Sequence, residues 1–127
     1  MRLLLDTQIF LWWLTDDGRL GHGPRQAITD PGNTVHVSPA TIWELAIKSE
    51  AGRLDLAGLD PVAELASQGF TELTIRAVHA WRAGGLPLHH KDPFDRMLVA
   101  QADHEQLVLI TVDEALAAYG VPILLGR

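Results

Sequence analysis

The stretch RLLLDTQIFLWWL, Arg2 to Leu14, decides the fold. Arg2 to Leu5 is nearly all apolar and reads as a first β-strand. Thr7 to Leu14 (TQIFLWWL) reads as a short helix. Asp6 stands between them, a carboxylate directly after a buried-type strand. In open α/β sheets ligands bind beyond the carboxyl ends of the strands, so this position carries functional weight from the start.

Working outward, apolar runs continue to alternate with helical patterns. The loop around Gly18 to Gly23 precedes a helix expected over Pro24 to Asp30, with proline at the favoured first position. Pro31-Gly32-Asn33 is a turn, and Val35 to Val37 a short strand. Ser38-Pro39 opens a helix to about Glu50, with serine as N-cap and proline at N1, and Gly52 ends it. Pro61 to Gln68 is expected to be helical and Phe70 to Thr74 a strand. Ile75 to Ala83 is a further helix stopped by Gly84-Gly85, and Leu86 to Lys91 a loop. Asp92-Pro93 opens a helix to about Glu105, and Leu107 to Thr111 is the clearest strand. Asp113 to Tyr119 is a last short helix and Val121 to Leu124 a last strand. Strands separated by helices predict an α/β fold with a mostly parallel sheet. Asp6 and Asp113 then project at the same edge of that sheet.

A length of 127 residues corresponds to one domain, and 47% hydrophobic residues suffice for a sizeable core. Cysteine is absent, which excludes disulfides, cysteine nucleophiles and thiolate metal sites. The apolar run at Met1 to Leu5 meets Asp6 too soon for a signal-peptide core or a membrane span, so a soluble cytoplasmic protein is expected. The formal charge of −6 argues against broad, non-specific nucleic-acid binding, which relies on Lys and Arg neutralising phosphates. It does not decide the function, because part of the acidity belongs to one place if several carboxylates gather there.

The acids Asp6, Glu44, Asp95 and Asp113 each have a bland reading. Asp6 could cap the helix it precedes. Glu44 lies four residues before Lys48, the favourable order for a helical ion pair, although Trp43, Leu45, Ala46 and Ile47 surround it with apolar residues. Asp95 falls at N3 of a helix capped by Asp92, which resembles a capping box with aspartate in the glutamate slot. Asp113 could cap the last helix. Read jointly they say more. Carboxylates converging on one edge cannot all stay ionised without a cation. Oxygen ligands without cysteine select a hard ion, Mg²⁺ or Mn²⁺. Such an ion lowers the pKa of bound water and stabilises charge on phosphate oxygens, which suits phosphodiester hydrolysis.

The order of these segments resembles that of PIN-domain proteins. LLLDTQIFLWWL looks like the N-terminal PIN motif, and VSPATIWELAIK like a second motif carrying Glu44. HKDPFDRMLVAQA is similar to the third motif of a VapC-like toxin branch, with Asp95 before an apolar helix and Ala100 and Ala102 as small packing residues. LVLITVDEAL looks like the fourth, with Thr111 and Asp113. The resemblance implies a three-layer α/β/α sandwich around a mostly parallel sheet of about five short strands. It implies an Mg²⁺-dependent endoribonuclease, with Mn²⁺ able to substitute, that acts as the toxin of a toxin–antitoxin pair. Asp6, Glu44, Asp95 and Asp113 would bind the metal, with Thr7 and Thr111 as hydroxyl neighbours. An RNA substrate, a cognate antitoxin protein and a homodimer are implied with it. Gln8 stands where asparagine is common, and Asp92, a second acid near Asp95, is read as a cap.

His89, His90, Lys91 and Arg96 cluster near Asp95 and are candidates for holding a substrate phosphate, against the plainer reading of a polar loop and a surface arginine. Trp12 and Trp13 are adjacent and must point to different faces of their helix, so one of them is a candidate for a partner interface. Trp43 is expected in the core. Base stacking finds no support in the sequence, because no basic residues interleave with these rings. Two other functions compete. A haloacid-dehalogenase-like phosphatase needs a second acid where Gln8 stands, a group its chemistry requires. A PIN scaffold that binds RNA or protein without cutting would be favoured by a missing acid, and all are present.

Overall fold

The computed structural model describes residues 1–127. The chain runs through β1 (Arg2–Leu5), α1 (Thr7–Leu14), α2 (His22–Thr29), β2 (Thr34–Val37), α3 (Pro39–Glu50) and α4 (Pro61–Ser67). It continues through β3 (Thr71–Glu72), α5 (Ala77–Gly85), α6 (Pro93–Glu105), β4 (Val108–Thr111), a 3-10 helix (Glu114–Tyr119) and β5 (Ile123–Leu125). The strands form one sheet in the order β3-β2-β1-β4-β5, and every neighbouring pair is parallel.

β1 is the central strand because it is apolar on both faces. Leu3, Leu4 and Leu5 have no exposed surface. The two-residue period of a strand sends Leu3 and Leu5 to one side and Leu4 to the other. Leu3 and Leu5 pack with Ile9, Phe10 and Trp12 of α1, Leu45 of α3 and Leu65 of α4. Leu4 packs with Leu98, Val99 and Ala102 of α6 and Leu109 of β4. Each fully buried leucine contributes about 1.5–3 kcal/mol relative to exposure. A core on each face of the sheet gives the three-layer architecture. Ala100 and Ala102 are both buried, as small residues that let α6 approach the sheet must be.

Register places the site. Leu5 pairs with Val37 on one side and with Ile110 on the other. Asp6, Ser38 and Thr111 therefore emerge side by side at the carboxyl edge, and the backbone N–H of Asp6 still reaches the carbonyl of Ile110 at 3.0 Å. Helices start at this edge under side-chain caps: Asp6 accepts from Ile9 N, Ser38 from Ala40 N, and Asp92 from Phe94 N and Asp95 N. Gly52, at φ +70°, lets the chain leave α3 in the left-handed region.

Several expected boundaries move. α2 begins at His22 rather than Pro24, so Pro24 occupies the third helical position, where a proline still lacks no intrahelical bond. β3 keeps only Thr71 and Glu72, because it is an exposed edge strand that pairs with β2 alone. Gly84-Gly85 does not stop α5, which runs to Gly85. The glycines cost about 1 kcal/mol each in helix propensity. Against that, the Arg96 guanidinium on α6 ties down the end of α5 by donating to the carbonyls of Ala83 and Leu86 at 3.0 and 2.9 Å. The segment after Asp113 is a 3-10 helix. Trp43 is not in the core: it is 64% exposed, because Thr41 and Leu45 take the inward face of α3 and leave Trp43 and Ile47 outside. Trp12 is buried, and Trp13 packs within its own chain, donating to Gln68 at 3.0 Å beside Phe70. No helix is long and apolar enough to cross a membrane.

Candidate metal centre

A cleft of about 450 Å³ opens at the carboxyl edge, lined by Asp6, Glu44, Asp92, Asp95 and Asp113 among others. The structure thus brings the expected acids together from the ends of β1 and β4, from α3 and from the first turn of α6, and adds Asp92. Three of the four local readings hold as well. Asp6 caps α1 through Oδ1, Asp113 caps the 3-10 helix through Oδ1, and Glu44 pairs with Lys48 at 2.8 Å. Carboxylates have two oxygens, and capping uses one of them.

Asp95 departs from the capping-box expectation. Asp92 Oδ1 accepts from Phe94 N and Asp95 N, but the backbone N–H of Asp92 donates to Nδ1 of His90 at 3.1 Å, not to Asp95. The box stays open, and the Asp95 carboxylate is left to the cleft. Burial, together with the nearby charges of Asp92, Asp6 and Glu44, pushes its pKa up to about 7, although His90 pulls the other way. Asp6, 5% exposed, is pushed up to about 6, chiefly by burial and further by Glu44, against the hydroxyl of Thr111 and the Ile9 N–H. Carboxyls held above their ordinary range by burial and by one another form a set that a cation would relieve.

The hydroxyl neighbours fix geometry. Thr7 donates to Glu44 Oε1 at 2.6 Å and lies 3.4 Å from the hydroxyl of Thr41, so Glu44 is held from one side by Thr7 and from the other by Lys48. Thr111 Oγ1 accepts the backbone N–H of Asp113 at 3.1 Å, locking the turn that carries Asp113.

His90 sits inside the acidic set. Its Nε2 is 2.8 Å from Asp113 Oδ2 and 3.4 Å from Asp95 Oδ2, and the ligand atoms of the three groups lie within 4.8 Å of one another. Because a backbone N–H can only donate, Nδ1 must accept, and in the neutral ring the proton therefore rests on Nε2. Lys91 is exposed nearby. Arg96, a candidate for phosphate contact, is engaged elsewhere. Its guanidinium donates to the carbonyls of Ala83, Leu86, Pro87 and His90 and closes the loop that carries His90. Neither that loop clamp nor the bond from His90 to Asp113, 23 residues apart, is legible in the sequence. Arg53, which lines the cleft, was also missed, since nothing in its neighbourhood along the chain marks it.

The donor set is all oxygen apart from His90, whose Nε2 proton opposes ligation, and this fits a hard divalent ion held by the carboxylates. The architecture and the cleft together define an α/β domain with a cluster of carboxylates at the edge of an all-parallel sheet. The chain belongs to the PIN domain family, whose model matches residues 3–122. No curated protein matches the sequence significantly. Among solved structures it is similar to VapBC2 from Rickettsia felis bound to a promoter DNA fragment, with a TM-score of 0.78 at 13% identity over 100% of both chains. DNA-bound VapBC from Salmonella typhimurium gives 0.73 at 18% identity, covering 100% of this chain and 99% of that one. A toxin–antitoxin complex from Klebsiella pneumoniae gives 0.69 at 20% identity, over 98% of both. At such identities the likeness is one of fold.

Proposed function

We propose that this chain is an Mg²⁺- or Mn²⁺-dependent endoribonuclease that acts as the VapC-like toxin of a toxin–antitoxin pair. The observation that carries the reading is the convergence of Asp6, Glu44, Asp95 and Asp113 on one cleft, with Asp6 and Asp95 held well above the carboxylate range. When bound, the ion supplies an activated water and stabilisation of charge on the scissile phosphate. The residues of the chain do the rest. Asp6, Asp95 and Asp113 hold the ion, while Glu44, steadied by Thr7 and Lys48, completes the acidic wall. His90 keeps Asp113 in place with its Nε2 proton and is not a general base, because Nδ1 is already committed to the Asp92 N–H. Gln8, on the cleft wall, offers no carboxylate for phosphatase-type acid catalysis.

The toxin role is supported by the likeness to VapBC and toxin–antitoxin complexes. An antitoxin that covers the cleft and a homodimeric state belong to the same reading. The test incubates the purified chain with total RNA and Mn²⁺, beside Asp6→Asn and beside a chelated sample. Discrete cleavage by the wild type alone, lost on chelation and restored by Mg²⁺ or Mn²⁺, is the expected result. Cleavage that survives exhaustive chelation or the Asp6 substitution would refute it.

A further inference from the structure

The loop that carries His90 has little apolar anchoring of its own. Leu86 packs at its start, but Pro87, Leu88, His89 and Lys91 are exposed, Leu88 to 80%. Arg96 grips its carbonyls from α6. A second hold comes from Tyr119, the last residue of the 3-10 helix. The Tyr119 hydroxyl accepts the backbone N–H of His90 at 2.9 Å and donates its one proton to the carbonyl of Pro87, also at 2.9 Å. The ring is fixed in turn. It packs against the core cluster that holds Leu4, Leu98 and Leu116, and His89 meets it edge-on with centroids 5.0 Å apart.

Asp113 is the N-cap of the same 3-10 helix. A 3-10 helix has three residues per turn, so side chains three apart eclipse one another. Asp113, Leu116 and Tyr119 therefore follow one face, and Leu116, between the other two, is fully buried. His90 is fastened at both ends of this short helix. Its ring reaches the start, through Nε2 to Asp113 Oδ2 at 2.8 Å, and its backbone N–H reaches the end, at Tyr119. Tyr119 does not line the acidic cleft, so any effect it has on the site passes through His90.

We infer that Tyr119 is a positioning residue of the nuclease: its hydroxyl fixes the backbone of His90 at the place from which the Nε2–H of that histidine orients Asp113. The inference rests on the nuclease reading and deepens it at Asp113. The Asp92 N–H sets the rotation of the ring, while Tyr119 sets the position of the backbone from which the ring hangs. Both are needed, because a hydrogen bond weakens steeply once its angle or length departs from the optimum. A tyrosine with a merely structural part would lower stability without acting through His90.

The test compares wild type, Tyr119→Phe, His90→Ala and the double variant. Tyr119→Phe removes one oxygen and keeps the ring in its packing. Mn²⁺ affinity is read without RNA, from the electron paramagnetic resonance signal of free Mn²⁺, and kcat and KM are measured on RNA at saturating Mn²⁺. Tyr119→Phe should weaken Mn²⁺ binding about tenfold and lower kcat by a similar factor, the effect of removing a group that supports a metal-binding side chain, with KM unchanged. In the His90→Ala background the same substitution should change neither quantity, since residues that act in series are not additive. Wild-type Mn²⁺ affinity and kcat in Tyr119→Phe overturn the inference. So do a rise in KM at constant kcat, or losses that multiply in the double variant, which would show Tyr119 acting apart from His90. A wild-type chain that neither binds Mn²⁺ nor cuts RNA refutes the nuclease reading and the inference with it, whereas an active wild type with an indifferent Tyr119→Phe refutes the inference alone.

Discussion

Nε2 of His90 lies 2.8 Å from Oδ2 of Asp113, across 23 residues of sequence, and the ring is oriented for this bond by the Asp92 N–H on its other nitrogen. The histidine is therefore a donor that positions Asp113. His90→Ala should lower kcat/KM about 10- to 100-fold, the usual effect of removing a partner that orients a metal-binding group. His90→Gln, which keeps an N–H donor, should recover much of that loss. The shape of the pH–rate profile should be the same in wild type and His90→Gln. Loss of an ionisation from the profile of the glutamine variant would instead make His90 a proton carrier.

The metal-free protein should lose stability as pH rises. Asp6 and Asp95 have folded-state pKa values of about 6 and about 7, against 3.8 for an ordinary aspartate. Between pH 4 and 7 the folded state thus binds more protons than the unfolded chain, and stability falls across that window as the buried carboxyls are forced to ionise. Asp6 alone corresponds to a loss on the order of 3 kcal/mol. Mg²⁺ or Mn²⁺ favours the ionised set, so either ion should raise Tm far more at pH 8 than at pH 5. Thermal melts with and without metal at both pH values make the comparison. An equal metal effect at both would separate these carboxylates from the ion.

What the sequence revealed and what it hid divide along the range of the forces involved. The starts of α3 and α6 were legible at Ser38-Pro39 and Asp92-Pro93 because capping is decided within three residues. The central strand was legible because Leu3, Leu4 and Leu5 leave no polar face. Asp6, Asp95 and Asp113 were legible as candidates because they follow strands or open helices, and Glu44, inside α3, because apolar residues surround it. Misplaced features were tertiary. Arg96 on α6 holds the end of α5 past Gly84, and Trp43 is turned outward by the burial of Thr41 and Leu45. The competition between Asp95 and His90 for the Asp92 N–H was hidden as well, since a capping-box pattern does not show that a histidine two residues upstream will take the bond.

Asp6→Asn separates chemistry from folding at one atom. Asparagine keeps an oxygen for the cap to Ile9 N, so α1 should remain intact. Removing the charge also removes the penalty of burying it, so in the absence of metal the variant should melt at or above the wild-type temperature at pH 8. Nuclease activity should fall by about 100-fold or more, in line with the loss of a group that acts on the transition state. Asp6→Ala should be inactive as well and lose about 1 kcal/mol with the cap. A destabilised Asp6→Asn would show that the carboxylate charge supports the fold after all.

Arg96 provides the sharpest separation between a structural and a substrate-binding cation. Its guanidinium donates to the carbonyls of Ala83, Leu86, Pro87 and His90, and Tyr119 adds a hydroxyl contact to Pro87 and to the N–H of His90. Arg96→Ala leaves these carbonyls unpaired and should cost about 2–3 kcal/mol of stability, since hydrogen bonds to charged groups contribute about 1.5–3 kcal/mol. Lysine cannot reproduce a planar fork reaching several carbonyls, so Arg96→Lys should recover only part of it. Because the same clamp carries His90, activity should fall together with stability, while the salt dependence of RNA binding stays as in wild type. A variant of wild-type stability whose RNA binding loses one phosphate's worth of salt dependence would place Arg96 on the substrate instead.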